Sequence, residues 1–329
     1  MKKIAVLGDG GWGTTLAIQL NKNGFKTTLW SAFKDYANYL NKKRTNTKFL
    51  SGIKIPKSIE ITSDLKEALD SSLIIILAIP SQYLRSVLQR LKGFDLSKTI
   101  VVNVAKGIEK VSLRRMSEVI SEELGDVKQA MLSGPTIARE VAFGIPTTAV
   151  IASNNLSIAK LLQGIFNSER FRIYTNKDLM GVELGASLKN VIAIACGISD
   201  GLGFGTNTKA ALLARGLAEM TRLGVKMGAN EKTFFGISGL GDLVTTCISS
   251  LSRNRFLGEQ IGKGKRAKSI IRHMQMIAEG YPTAKSAYEL SKKFKVDMPI
   301  TKEIYSVLYK NKNPLKAVND LMVRKIKEE

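Results

Sequence analysis

One histidine, His273, occurs in 329 residues. Many enzymes that oxidise alcohols move the proton with a histidine. Here only His273 is available for that task, inside Ile270-Ile271-Arg272-His273-Met274-Gln275-Met276, with no orienting acid beside it and far in sequence from every glycine-rich turn. It reads as a surface or helix-capping residue. Cysteine is nearly as scarce. Cys196 and Cys247 lie far apart in apolar or small-residue settings, which gives no metal-ligand spacing and suits a reducing cytoplasm. No apolar run reaches the roughly 18–20 residues of a bilayer span, so no integral membrane association is expected. The N-terminus enters a strand at once, which leaves no signal peptide. No internal repeat or low-complexity segment is evident.

Acidic residues are also under-represented. Fifty Lys and Arg against 28 Asp and Glu give a net charge of +22. Such a balance first suggests nucleic acid. The basic clusters Lys263-Gly264-Lys265-Arg266, Lys292-Lys293 and Arg324-Lys325 are scattered, however, and carry no interleaved aromatics. No nucleic-acid motif accompanies them, so no nucleic-acid partner is expected. A basic surface raises the local concentration of anionic substrates instead. The hydrophobic share of 44% and charged share of 24% are those of a soluble globular protein.

What is present is concentrated first at residues 4–16. The aliphatic run Ile4-Ala5-Val6-Leu7 leads into Gly8-x-Gly10-x-x-Gly13, and a helical apolar pattern follows through Leu16, Ala17 and Leu20. Gly8 permits the bend, Gly10 lets the backbone approach a pyrophosphate, and Gly13 lets the helix pack close to the strand. The helix N-terminus then faces the anion with free N–H groups and a favourable dipole. A lone glycine pattern is common in ordinary turns; the strand before it and the helix after it are the context that points to a dinucleotide.

Strand and helix signals alternate through the first 150 residues: strands at 26–30, 59–62, 72–79, 99–104, 130–132 and 147–152, helices at 33–43, 64–69 and 83–91, and a polar, basic loop at 44–57. Ser72 to Ile79 is continuously apolar, as in a strand buried on both faces. The expected fold is α/β: a doubly wound, Rossmann-type, mostly parallel sheet. Ligands in such sheets lie beyond the strand C-termini, where Lys106 and the Gly134-Pro135-Thr136 turn follow predicted strands. From about residue 178 helical periodicity dominates. The chain therefore reads as a dinucleotide-binding domain over 1–180 and an all-helical substrate-binding domain over 181–329.

Residues 182–198 form a helix apolar nearly all round, with Glu183, Lys189 and Asn190 its only strongly polar side chains. A buried lysine needs a partner or a task, and burial brings a lysine pKa toward neutrality, where proton transfer is practicable. The alternative is a structural pair with Glu183 or Asp242. Downstream, Gly236 to Gly241 is a glycine-rich turn that presents Asp242. Ser252-Arg253-Asn254 offers a hydroxyl, a guanidinium fork and an amide, a set suited to a phosphate, although a run of this kind is also common in solvated loops. No Tyr-x-x-x-Lys stands where a short-chain reductase needs it, so a lysine is the best remaining general acid.

Taken in order, Gly8-x-Gly10-Gly11-Trp12-Gly13, Asn103-Val104-Ala105-Lys106-Gly107, Ser133-Gly134-Pro135-Thr136, Glu183 through Asn190, Gly239-Leu240-Gly241-Asp242-Leu243 and Ser252-Arg253-Asn254-Arg255 resemble the soluble, bacterial NAD(P)-dependent sn-glycerol-3-phosphate dehydrogenases over essentially the full length. The resemblance implies reversible interconversion of dihydroxyacetone phosphate and sn-glycerol 3-phosphate, supplying phospholipid synthesis, in a cytoplasmic homodimer without a metal. It implies Lys189 as proton donor and acceptor. Lys106, Gly134, Thr136, Asn190, Asp242, Thr246, Ser252, Arg253 and Asn254 are implied around the substrate. Gly8, Gly10, Gly11, Trp12, Gly13, Lys106, Ala138, Arg253, Ile277 and Glu279 are implied along the cofactor.

Two positions depart from the family pattern. Ala32 stands where many relatives carry a basic residue that meets a 2′-phosphate; the nearest cation is Lys34, and with Lys34 as substitute the cofactor reads as NADP in slight preference to NAD. Gly11 stands where relatives often carry Ser. The expected chemistry places the phosphorylated ketone between the two halves, with its phosphate on Ser252-Arg253-Asn254 and the Lys189 ammonium at the carbonyl oxygen. A two-domain reductase of β-hydroxyacids or sugar acids would also use a helix lysine but prefer a carboxylate substrate. A non-enzymatic NAD(P)-binding regulator would need the glycine turn but neither Lys189 nor the Ser-Arg-Asn run.

Overall fold

The computed structural model describes residues 3–326 and 328. The chain forms two compact units, Met1–Lys106 with Arg115–Leu179, and Gly107–Arg114 with Met180–Glu329.

The first unit is built on β1 (Lys3–Leu7), β2 (Lys26–Trp30), β3 (Thr45–Asn46), β4 (Leu50–Lys54), β5 (Glu60–Thr62), β6 (Ser72–Leu77), β7 (Ile100–Asn103), β8 (Lys128–Ser133), β9 (Thr147–Ala152) and β10 (Phe171–Asn176). Eight of these form one sheet in the order β10-β9-β8-β7-β6-β1-β2-β5. Every pairing is parallel except β8 with β9. Strand alternation explains the apolar runs. Ile4, Val6, Ile74 and Ile76 pack in one layer with Leu16, Leu20 and Phe166, while Ala5, Leu7, Ile75 and Leu77 pack in another with Leu84, Leu88 and Val119. Both faces are covered, as a parallel sheet requires, and each large aliphatic side chain so buried contributes roughly 1.5–3 kcal/mol.

The sequence reading lacks the helices Met116–Leu124, Ala138–Ala142 and Leu156–Phe166, and it differs from the structure in three further features. The basic stretch 44–57 holds an antiparallel hairpin, β3 with β4, rather than an open loop; its order comes from tertiary anchors, the Tyr36 hydroxyl donating to Asn46 Oδ1 at 2.7 Å and a buried Leu50. The strand β10 has no counterpart in the sequence reading. Phe171 and Ile173 are buried and Arg172 and Tyr174 exposed, the alternation of an edge strand. Lastly, the helix Leu179–Gly201 is long and apolar enough to span a bilayer by composition, contrary to the expectation that no segment is; 94% of its most apolar window is buried inside the protein, as for a core helix.

That helix is the core of the second unit. Ile192, Ile194 and Ile198 pack with Met220, Leu223, Phe234, Leu243, Leu257 and Leu308 from surrounding helices. Against the helix Arg253–Gly262 the packing is backbone to backbone. A Cβ on Gly197 would stand 2.0 Å from the Arg255 carbonyl oxygen, and one on Gly258 2.1 Å from that of Ile194. Only glycine allows this approach, and it sets the start of the second helix beside Asn190.

Candidate active site

In the sheet unit, the turn after β1 has the three-glycine geometry in detail. Gly8 takes φ +118°, and a Cβ there would lie 2.3 Å from the Ala78 carbonyl oxygen; one on Gly13 would lie 1.9 Å from that of Gly8. A Cβ on Gly10 would meet nothing within 4 Å. Two glycines are thus demanded by the fold, and the third borders open space at the N-terminus of the helix Gly11–Lys22, which no side chain caps. The buried Trp12 Nε1 has no hydrogen-bond partner there among the described residues, and the ring packs edge-on to Phe171 at 6.3 Å. The open cradle, the uncapped amides and the unused indole donor fit a dinucleotide pyrophosphate. Gly11 has its own cause: a Cβ would come within 2.6 Å of the Phe49 carbonyl oxygen, so the hairpin turn leaves no room for a side chain. Ala138 joins the same corner, its carbonyl accepting the Thr15 hydroxyl at 3.0 Å. Lys34 is exposed in the first turn of the helix Lys34–Lys43.

The loops after the parallel neighbours β7 and β8 leave the same edge of the sheet. Asn103 stiffens the first, its Oδ1 accepting the Ala105 N–H at 3.0 Å. Lys106 Nζ crosses to the second, donating to the Gly134 carbonyl at 2.8 Å and to Thr136 Oγ1 at 3.3 Å. Lys106, Gly134 and Thr136 therefore form one cluster at the strand C-termini, where ligands of such sheets bind.

In the helical unit, Lys189 is only 4% exposed. Its Nζ lies 2.8 Å from Asp242 Oδ1 and donates to Thr246 Oγ1. Thr246 in turn donates to the Asp242 carbonyl at 2.7 Å, one helical turn back. Asp242 is 2% exposed and starts the helix Asp242–Ile248, immediately after a π-helical turn, Ile237–Gly241. Such turns recur at functional sites because they re-aim the next residue. Asp242 and Thr246 together hold the Lys189 ammonium, each engaging one of its N–H bonds.

Ser252 caps the helix Arg253–Gly262, its Oγ accepting the Arg255 N–H at 3.2 Å. Arg255 is turned to Asp200 at 2.7 Å, which leaves Arg253 as the cation of this run. Arg253 retains an open surface; crowding by the surrounding protein nonetheless lowers its pKa from the ordinary value, and Glu279 acts in the opposite direction. Asn254 is buried, donating to Asn190 Oδ1 at 2.9 Å and accepting the Gly280 N–H at 2.8 Å. Its amide locks three helices together as well as lying in the run. Ile277 is exposed, and Glu279 precedes the helix Gly280–Lys293. His273 is exposed at the end of the helix Ala267–His273, its Nδ1 2.8 Å from the Ser269 carbonyl.

Sequence reasoning passed over Asp9 and Asn46. Asn46 Nδ2 donates to the Asp9 carbonyl and to Thr14 Oγ1, both at 2.7 Å, and so clamps the glycine turn to the hairpin. The visible signal was an acid set between the first two glycines.

Comparison with known proteins matches residues 3–159 to the family profile "NAD-dependent glycerol-3-phosphate dehydrogenase N-terminus" and residues 178–319 to its C-terminal companion. The chain is 52% identical over 327 residues to "Glycerol-3-phosphate dehydrogenase [NAD(P)+]" of Thermoanaerobacter sp., covering 99% of this chain and 98% of that one. A protein of the same name from Fusobacterium nucleatum is 48% identical over 331 residues, covering 100% and 99%. Among solved structures, the glycerol-3-phosphate dehydrogenase of Coxiella burnetii superposes with a TM-score of 0.95 at 38% identity, covering 98% of this chain and 99% of that one. With both halves matched in order and the whole length covered, the chain belongs to the NAD-dependent glycerol-3-phosphate dehydrogenase family.

Proposed function

We propose that the protein catalyses the reversible, NAD(P)-dependent reduction of dihydroxyacetone phosphate to sn-glycerol 3-phosphate, the backbone of glycerophospholipids. The observation that carries this reading is the buried Lys189, held by Asp242 and Thr246, in a chain whose full-length relatives bear that activity in their names.

Held at Gly10 and the N-terminus of the helix Gly11–Lys22, a dinucleotide would supply the hydride for the carbonyl carbon. Negative charge builds on the carbonyl oxygen as that happens. The Lys189 ammonium stabilises this charge and passes it a proton, and Asp242 and Thr246 keep Nζ from rotating away. In the reverse direction the neutral amine takes the hydroxyl proton. Such proton transfer accounts for roughly 10²–10⁴-fold in rate. The phosphate is taken by Ser252, Arg253 and Asn254: a hydroxyl and an amide donate single hydrogen bonds, and the guanidinium offers a fork. Within the sheet unit Lys106 is joined to Gly134 and Thr136, and within the helical unit Asn190 lies beside Asn254; the family resemblance supports a substrate role for each of these residues. Trp12 and Ala138 in the sheet unit are read along the dinucleotide, and for Ile277 and Glu279 of the helical unit a cofactor role rests on the family resemblance alone.

We infer a cytoplasmic enzyme that acts as a homodimer; light scattering on the purified protein tests the dimer. The activity itself is tested by following loss of NADH or NADPH with dihydroxyacetone phosphate. Turnover supports it; cofactor binding without turnover on this ketone overturns it.

A further inference from the structure

A dinucleotide fold of this type ordinarily holds the adenosine ribose with a carboxylate at the end of its second strand, about 20 residues past the glycine turn. Here β2 ends at Trp30 and the chain continues Ser31-Ala32-Phe33-Lys34, without an acid. A carboxylate reaches that position from elsewhere. Asp9, between Gly8 and Gly10, accepts the hydroxyl hydrogen of Ser31 on Oδ2. Ser31 is fully buried, and its Oγ also accepts the Phe33 N–H at 3.3 Å, so the hydroxyl is fixed. The Asp9 backbone is fixed as well, by Asn46 Nδ2 at 2.7 Å and Thr14 Oγ1 at 3.3 Å. Tyr36 steadies Asn46 in turn. The Asp9 side chain remains partly open to solvent.

Two lysines stand in the neighbouring stretches. Lys34 is exposed in a helix first turn that also carries Asp35. Lys48 lies over the Phe49 ring, 5.0 Å from its centroid, and its charge acts on the Asp9 carboxylate. Burial pushes the Asp9 carboxyl above its usual range, and the Ser31 hydrogen bond and Lys48 pull it back. With Asp9 set against Lys48, and Asp35 beside Lys34 in one helix turn, these four groups leave no surplus positive charge for a phosphate dianion, whereas a carboxylate oxygen readily accepts a ribose hydroxyl.

We propose that Asp9, anchored on Ser31, replaces the missing strand-end carboxylate: it accepts the adenosine ribose 2′-hydroxyl, repels a 2′-phosphate, and makes this chain select NAD(H) over NADP(H). This runs opposite to the role expected of Lys34, and it rests on the dinucleotide-binding part of the function proposed above. A hydrogen bond to a charged group corresponds to about 10–100-fold in affinity, and that is the scale of selection expected.

Isothermal titration of the full-length protein with NADH, NADPH, 5′-AMP and adenosine 2′,5′-bisphosphate tests it without turnover. The wild type binds NADH about tenfold or more tighter than NADPH, and the two adenosine fragments follow the same order. Asp9→Asn removes most of that ratio, and Ser31→Ala, which frees the carboxylate from its anchor, narrows it. Circular dichroism of both variants separates unfolding from altered selection. Preference of the wild type for NADPH, or an unchanged ratio in a folded Asp9→Asn, overturns the inference. Binding of neither dinucleotide overturns the underlying reading of the glycine turn instead, whereas selective NADH binding without ketone reduction leaves the inference standing and removes only the proposed reaction.

Discussion

Lys189 Nζ and Asp242 Oδ1 lie 2.8 Å apart with both side chains almost wholly removed from water. Two opposite charges taken out of solvent stabilise each other only as a pair. Removing either one alone leaves an uncompensated buried charge. Asp242→Ala is therefore expected to lower folding stability by about 3–5 kcal/mol. The double variant Asp242→Ala with Lys189→Met is expected to regain a large part of that loss. Urea denaturation of the two single variants and the double variant checks this. Additive losses would mean that the two groups do not stabilise each other.

Arg253 is the cation of the Ser252-Arg253-Asn254 run that faces outward, since Arg255 is committed to Asp200; the Glu279 carboxylate acts on it from outside the run. Arg253→Ala is expected to raise KM for dihydroxyacetone phosphate by about 10–100-fold, the scale of one charge-assisted bond. The KM for unphosphorylated dihydroxyacetone should move little. Equal changes for the two ketones would take the phosphate away from Arg253.

Glu219 gives the helical unit a pH-dependent stability. It is 1% exposed and accepts the Ile300 and Thr301 N–H groups and the Thr301 hydroxyl. Burial nevertheless raises its carboxyl from 4.5 to about 7. Between those values the folded chain keeps a proton that the unfolded chain has lost, so stability falls as pH rises through the window and levels off above it. The loss amounts to about 3 kcal/mol. Glu219→Gln, which carries no titrating proton, is expected to flatten that dependence. Denaturation at about pH 5 and about pH 8 reads it directly.

The glycine contact between the helices Leu179–Gly201 and Arg253–Gly262 admits no methyl group. Gly197→Ala is expected to cost about 1–3 kcal/mol through overpacking. Because the same contact sets Asn254 beside Asn190, KM for the phosphorylated ketone should rise as well. A variant with wild-type stability and wild-type KM would show that the helices separate easily.

Much of this was legible in the sequence, where the pattern is local. The glycine turn, the doubly apolar strand runs and a lone lysine in an apolar helix each declare themselves within about 20 residues. The hairpin did not, because Asn46 and Leu50 acquire their meaning from Asp9, Thr14 and Tyr36. The reversed direction of β9 against β8 has no local signature, since an apolar run reads alike in either direction. The glycine pairs 197/201 and 258/262 have the same i, i+4 spacing, but nothing local says that one pair lies against the other helix. The Asp9–Ser31 bond joins residues 22 apart across two strand ends, a juxtaposition created by the sheet alone. The partner of Lys189 stood as one of two open candidates, Glu183 or Asp242; the geometry joins it to Asp242.

The proposed reaction turns on the ammonium group at position 189. Lys189→Met keeps the length and apolar stem of the side chain and removes the transferable proton. Single-turnover rates of ketone reduction at saturating cofactor and dihydroxyacetone phosphate, compared with the wild type, measure its part most directly. A fall of roughly 10²–10⁴-fold with cofactor affinity preserved is the predicted result. A variant that reduces the ketone within a fewfold of the wild-type rate would contradict the proposed mechanism.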